Sequence, residues 1–175
     1  MHDHHSIFIC YRREDSADVT GRIFDRLRRD LGDAVVFRDI DAAPFGVDFR
    51  THIRTQLASS TVVLVVIGPD WLGVRDRAGS RRIDDPADHV RIEVEFALAR
   101  EGALIVPLLV AAAEMPTADQ LPKALEGLAF RNGLEIRRDP DFHHDMERLT
   151  RQLRVQTSSA LRGEPTPARK PATQP

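Results

Sequence analysis

Cysteine is almost missing from this chain of 175 residues: Cys10 stands alone. That excludes an internal disulfide framework and a cysteine-built zinc site. Set in an apolar stretch, Cys10 reads as an inert buried thiol. Charge of one sign is missing too, since 25 Lys+Arg against 27 Asp+Glu leave a formal net charge of -2. No bulk attraction to nucleic acid or an anionic membrane follows, and any binding surface must be local. The longest apolar runs, "TVVLVVIG" and "ALIVPLLVAAA", fall short of the roughly 20 residues a membrane-spanning helix needs. The opening "MHDHHSIFIC" has no basic segment leading into a long apolar one, so no signal peptide is expected. A cytoplasmic location is the expectation. Neither GxGxxG nor GxxxxGKS/T follows the first apolar run, which removes a dinucleotide-binding turn and a P-loop. No GxSxG nucleophile elbow exists either.

What is present is ordinary for a globular protein: 42% hydrophobic and 30% charged residues, enough for one domain with a real core and a tail. Apolar strands alternate with helical periodicities. Strands are expected at 6–11, 34–39, 61–68, 103–110 and, more weakly, 133–136. Helices are expected at 17–31 (Val19, Ile23, Leu27 and Leu31), 48–59 (Phe49, Ile53 and Leu57), 88–101, 117–127 and 141–156. The run at 61–68 is continuously apolar and β-branched, as in a parallel strand covered on both faces. Five strands alternating with helices imply an α/β doubly wound sheet, five-stranded and parallel, with helices on both faces. The domain is expected over 1–156. Residues 157–175, rich in Pro, Ser, Thr and Arg, read as a disordered tail or a linker toward a further, fused sensor domain.

In such sheets ligands bind beyond the carboxyl ends of the strands. Those ends here are Tyr11-Arg12-Arg13, Asp39 onward and Gly68 onward. Paired arginines at a strand exit suit a pyrophosphate or carboxylate, because their planar forks bond bidentately; a solvated loop is the plainer account. Asp39 and Asp41 are two carboxylates at the second exit, where solvated loop acids are also common. The charged segment 69–88 is longer than a connection requires. His2, His4 and His5 are read as a solvated end with no metal, as nothing nearby orients the rings.

The helix beginning "DHVRIEVEF" (88–96) carries two glutamates that point about 200° apart at roughly 100° per residue. Glu95 has Arg91 four residues before it, a normal helix pair. Glu93 has Phe96 and Ala97 ahead and Val90 and His89 behind, so the sequence supplies it no arginine or lysine at helical contact spacing. A solvated acid near a helix N-terminus, favoured by the dipole, is the bland reading.

"SIFICYRRED", "VVFRDIDAAPFGVDF", "VLVVIG" and "DHVRIEVEFALAR", in that order, resemble the Toll/interleukin-1 receptor (TIR) domain, bacterial type, over roughly residues 6–153. The first stretch is similar to the family's first box, with Cys10 in place of a serine. The second is similar to the BB loop, with Asp41, Pro44 and Gly46 as its acidic and turn residues. The resemblance implies a flavodoxin-like fold and one of two roles. One is cleavage of NAD+ at the nicotinamide–ribose bond, giving nicotinamide and ADP-ribose or a cyclic isomer, in bacterial defence or stress signalling. The other is a non-catalytic interaction module acting through homotypic association. The NAD-cleaving branch has a glutamate in a pattern like Asp-Trp-Val-x-x-Glu. The matching stretch runs from Asp88 to Glu93 and places the catalytic carboxylate on Glu93.

By the same resemblance Tyr11, Arg12, Arg13, Asp39, Phe45, Trp71 and His89 are expected near the substrate. Strand alternation favours Arg12 for phosphate contact. Phe45 can stack on a ring, Phe49 can do so or belong to the core, and Trp71 either lines the cleft or is a buried anchor. His89 stands where the pattern has tryptophan, a departure that gives a smaller, titratable ring. NAD+ is then substrate, with no separate cofactor or metal, and self-association through TIR–TIR contacts is implied. A phospho-acceptor domain is a third reading. Tyr11-Arg12-Arg13 stands where its acidic pair belongs, which argues against it.

Overall fold

The computed structural model describes residues 6–32, 36–38 and 49–162. Its elements are β1 (Ser6–Cys10), α1 (Arg13–Leu31), β2 (Val36–Arg38), α2 (Phe49–Ser59), β3 (Ser60–Ile67), α3 (His89–Ala99), β4 (Leu104–Val110), α4 (Glu126–Ala129), β5 (Leu134–Ile136) and α5 (Phe142–Arg162). The strands form one parallel sheet of five in the order β2-β1-β3-β4-β5. This is the doubly wound arrangement that the sequence pattern implies, in the flavodoxin-like form that the resemblance implies. The chain runs outward from β1 to β2 and then returns to the other side of β1, so the switch point lies between the ends of β1 and β3.

The continuous apolar character of the strands has a direct cause. Alternate side chains enter two different cores. Ile7, Ile9, Val62, Leu64, Val66, Leu108 and Val110 pack with Ile23 and Leu27 of α1 and with Phe142, Met146, Leu149 and Leu153 of α5. Phe8, Cys10, Val63, Val65, Ile67 and Ile105 pack with Ile53 and Leu57 of α2 and with Val90, Val94 and Ala97 of α3. Cys10 is buried in the second core as a thiol and not as half of a disulfide.

Three boundaries differ from the periodicity by more than two residues, each for a local reason. The helix expected from residue 17 is preceded by one turn from Arg13, and the break between them is Ser16 (φ -141°, ψ 21°). The helix expected over 117–127 is instead two 3₁₀ turns, Ala118–Gln120 and Lys123–Leu125, followed by the short α4. Pro122 explains this: it holds Leu121 extended (φ -98°, ψ 147°), as the residue before a proline prefers. At the other end, α5 runs six residues past the expected 156 to Arg162. The segment "TSSALR" contains no breaker, and Gly163 is the first. Among the described residues no helix is long and apolar enough to cross a membrane. The histidines at 2, 4 and 5 and the tail from 163 lie outside the described residues.

The long segment between β3 and α3 is built of turns. Asp76 accepts from the backbone N–H groups of Ala78 (2.8 Å) and Ser80 (2.9 Å), an Asx arrangement that folds the tip back. Arg75 and Arg81 bridge across it, and a 3₁₀ turn, Arg82–Asp84, leads toward α3.

At the opposite edge, buried Asp145 fastens α5 to the strand β5. It accepts from the backbone N–H of Arg137 (3.0 Å) and from that residue's Nε (2.9 Å) and NH2 (2.8 Å). The Arg137 guanidinium holds the Asp145 carboxyl below its ordinary value, against the opposing effect of burial. A depressed folded-state value adds stability above the unfolded value of about 3.9, and that stability is lost as pH falls through the folded value. Asp145→Asn is therefore expected to lower the thermal midpoint at pH 7. Its deficit against the unmodified protein should shrink between about pH 4 and pH 2. A deficit that stays constant over that range, measured by circular dichroism, would contradict this role.

Candidate functional site

The switch point between β1 and β3 is closed by a carboxylate. Asp15, in the first turn of α1, accepts from the backbone N–H of Gly68 (2.9 Å) and of Asp70 (2.8 Å). The approach is so close that a Cβ built on Gly68 falls 2.4 Å from Asp15 Oδ2. A larger residue at 68 would have to push the Asp15 carboxylate aside, so contact and not a special dihedral favours glycine there. Burial raises the Asp15 pKa, outweighing the two N–H groups that favour the charge.

Three residues before Asp15, Arg12 ends the polar exit of β1 inside the protein. Its NH1 and NH2 donate to Asp88 Oδ2 (3.1 Å) and Oδ1 (3.0 Å), with both side chains 1% exposed. Asp88 is also the N-cap of α3, accepting from the backbone N–H of Arg91 (3.1 Å), which satisfies one of the orphan donors of a helix start. A fourth donor comes from Arg82, whose Nε reaches Asp88 Oδ2 at 3.2 Å while its NH1 reaches Glu14 Oε1 at 2.6 Å. In "YRRED", Arg12, Glu14 and Asp15 each tie β1's exit to a different point: α3, the 3₁₀ turn and the end of β3.

Glu93 lies five residues beyond Asp88, roughly 7.5 Å along the helix axis. It is buried, 1% exposed, on the face of α3 that also buries Val90, Val94 and Ala97. A glutamate is rarely placed so deeply for packing, because withdrawing a carboxylate from water is costly. Glu95 is the ordinary one: it accepts from Arg91 Nε at 2.7 Å. The two acids two positions apart have separate surroundings, as their helical phase requires.

The expected substrate-binding set does not all gather around Glu93. Tyr11 is buried in the α1/α5 core, across the sheet from α3, because β1 ends at Cys10 and residue 11 continues its alternation. Arg12 does not present its fork to a phosphate; both terminal nitrogens are given to Asp88. The exposed arginine is Arg13, since alternation lapses where α1 begins. Arg13 lines a cavity of about 610 Å³ with Arg22, Arg138 and Phe142, again on the α1/α5 side. Trp71 takes the second of its two readings, a buried anchor 1% exposed in the α2/α3 core. His89 is exposed on the first residue of α3, and of these five it alone shares a helix with Glu93. Asp39, Asp41, Pro44, Phe45 and Gly46 lie outside the described residues.

Sequence reasoning missed Asp15, Arg82 and the full role of Asp88. Asp88 had a usable signal, an aspartate directly before an apolar helical period. Arg82 had none, since its two partners are 68 residues and 6 residues away.

The Asp15 contact yields a test by coupling. Gly68→Ala should cost about 1–3 kcal/mol in urea unfolding, because it displaces the carboxylate from two backbone donors, one of them the half-buried N–H of residue 68 itself. In an Asp15→Gly background the same change should cost less, by more than about 0.5 kcal/mol. Equal costs in the two backgrounds would show that the clash with Asp15 is not what keeps glycine at 68.

Comparison with known proteins gives a consistent placement. A search of curated proteins returned no match. Among solved structures, the TIR domains in the structure of the activated Roq1 resistosome directly recognizing the pathogen effector XopQ match with a TM-score of 0.59. That match covers 87% of this chain and 99% of that one at 13% identity, a likeness of fold. The model of the family described as TIR domain matches residues 7–150, which spans all five strands and the helix carrying Glu93. The chain belongs to the TIR domain family.

Proposed function

We propose that this TIR domain cleaves NAD+ at the nicotinamide–ribose bond, with Glu93 as its catalytic carboxylate. The observation that carries the reading is the burial of Glu93 on α3, at the place where the NAD-cleaving pattern has its glutamate. The chemistry asks little else of the protein. Glycoside hydrolysis ordinarily uses an acid to protonate the leaving oxygen and a second carboxylate opposite. Nicotinamide in NAD+ is already cationic and departs neutral, so no acid is required. What remains is to hold the ribose and to stabilise the developing oxocarbenium ion, which a preorganised carboxylate away from bulk water does by its charge or by accepting from the ribose hydroxyls. Attack by water gives ADP-ribose; attack by a group of the same nucleotide gives a cyclic isomer. NAD+ is the substrate and no separate cofactor is invoked.

Of the residues expected to hold the nucleotide, His89 is the exposed one at the head of α3, and Phe45, Asp39 and residues 41–46 complete the proposal. Arg12 serves the site from below, through Asp88. Self-association of the domain belongs to the same reading. The Roq1 TIR domains, similar in fold, were solved within an activated resistosome, and assembly gives such a domain a way to complete a site that a dilute monomer leaves unfinished. The setting we propose is bacterial defence or stress signalling in the cytoplasm, with a sensor domain joined to the tail or supplied separately.

A second reading, a non-catalytic interaction module, is favoured by one feature. A groove of about 540 Å³ between α2 and α3 is lined by Arg54, Ile92, Glu95 and Phe96, apolar residues rimmed by both charges, as at an interface.

The deciding assay is nicotinamide release from NAD+ across a range of protein concentrations. Glu93→Gln, which keeps the shape and removes the charge, should lower turnover by roughly a hundredfold or more. Equal turnover by the two proteins would remove Glu93 from the mechanism. No turnover by the unmodified protein at any concentration would favour the interaction module.

A further inference from the structure

Three of the four contacts around Asp88 come from outside α3. Arg12 arrives from the exit of β1, with donors at 3.0 and 3.1 Å. Arg82 arrives from the 3₁₀ turn, with Nε at 3.2 Å. Only the Arg91 backbone N–H is the helix's own. The carboxylate at the head of α3 is thus the point where three chain segments meet, and all four groups of the chain Glu14–Arg82–Asp88–Arg12 alternate in sign.

Arg82 differs from the other two cations. Arg12 is fully buried, and removing it strands a charge. Arg82 is 31% exposed and spans two carboxylates, Asp88 inside and the exposed Glu14. Its loss leaves Asp88 with the bidentate Arg12 pair and the capped N–H, so the fold keeps its buried charge balance. What is lost is the tie between the start of α3 and the first turn of α1. On the other flank Arg91 grips the same segment, donating NH1 to the carbonyl of Asp84 (2.7 Å) and Nε to Glu95 (2.7 Å). The first turns of α3 are therefore held by Arg12 from the interior, by Arg91 on one flank, and on the other by Arg82, a single long side chain that reaches solvent.

We propose that Arg82, acting through Asp88, is a positioning residue for Glu93: it fixes the placement of the first turns of α3 and so the aim of the carboxylate one and a half turns on. The inference rests on the proposed role of Glu93. The bridge is a property of guanidinium geometry, since a planar fork can place Nε on one carboxylate and NH1 on another, whereas an ammonium is a point charge. An angstrom of misplacement at a reacting group can cost about a hundredfold in rate. A loosened α3 start therefore lowers turnover of bound substrate while leaving most binding contacts in place.

The experiment compares the unmodified chain with Arg82→Ala, Arg82→Lys and Glu14→Gln by steady-state nicotinamide release and by hydrogen exchange of the backbone amides. Arg82→Ala is expected to lower kcat about tenfold or more, with KM within about twofold. Arg82→Lys should recover only part of the loss. In both Arg82 variants and in Glu14→Gln, amides 90–95 should exchange faster, with α5 unchanged. Full kcat in Arg82→Ala, complete rescue by lysine, unchanged exchange at 90–95, or faster exchange throughout the chain each overturns the positioning role. If the unmodified protein releases no nicotinamide, the NAD+ reading falls. The exchange data then decide the positioning claim alone: local loosening at 90–95 upholds it, and none overturns it.

Discussion

The buried ion pair between Arg12 and Asp88 is the interaction on which the rest of this structure depends. Such a pair is a weak source of net stability, because withdrawing two charges from water offsets most of their attraction. It is a strong source of specificity in the sense that matters here, as removing one partner strands the other at about 3–5 kcal/mol. The pair joins residues 76 apart in sequence, the exit of the first strand and the entry of the third helix. Everything between them must return to this point: α1, β2, α2, β3 and the turn-rich segment to residue 88. Asp88 then does a second job with the same oxygens, capping α3 and so setting where the helix starts and which face it turns inward.

The sheet separates structural work from candidate chemistry. Its α1/α5 face is a packed core sealed by Tyr11 and Phe142. Its α2/α3 face buries Trp71, Val90 and Val94, and beside them stands the one glutamate buried among the described residues. The switch point between β1 and β3, where doubly wound sheets commonly take ligands, is in this protein occupied by its own groups: Asp15 fills the position over Gly68 and Asp70. That self-occupation moves attention from the top of the sheet toward α3.

Much of this was legible in the sequence because it follows from local physics. Continuous apolar strands and helical stripes gave five parallel strands and the two layers of helices, and Glu93 was singled out by what its helical neighbours are not. Pro122 breaks the helix that the apolar period predicts over 117–127, because a proline's effect on the residue before it outweighs that period. Alternation correctly sets Arg12 on the face opposite Tyr11, but it carries no sign that Asp88 already takes both terminal nitrogens of the guanidinium. Tyr11 and Trp71 carry no mark that distinguishes a ring facing a cleft from one filling a core; only burial does. Arg82 and Asp15 act on partners brought near by topology, and no spacing within the sequence announces such contacts.

The most direct test of this account is a double-mutant cycle on the central pair, Arg12→Met and Asp88→Asn, read by urea unfolding. Asparagine keeps an oxygen for the cap and removes the charge, while methionine keeps the volume of the arginine stem. Each single change is predicted to destabilise the protein strongly, and the double change to cost less than their sum by more than about 1 kcal/mol. Additive costs would mean that Arg12 and Asp88 do not depend on each other, and that the start of α3 is held in place by something else.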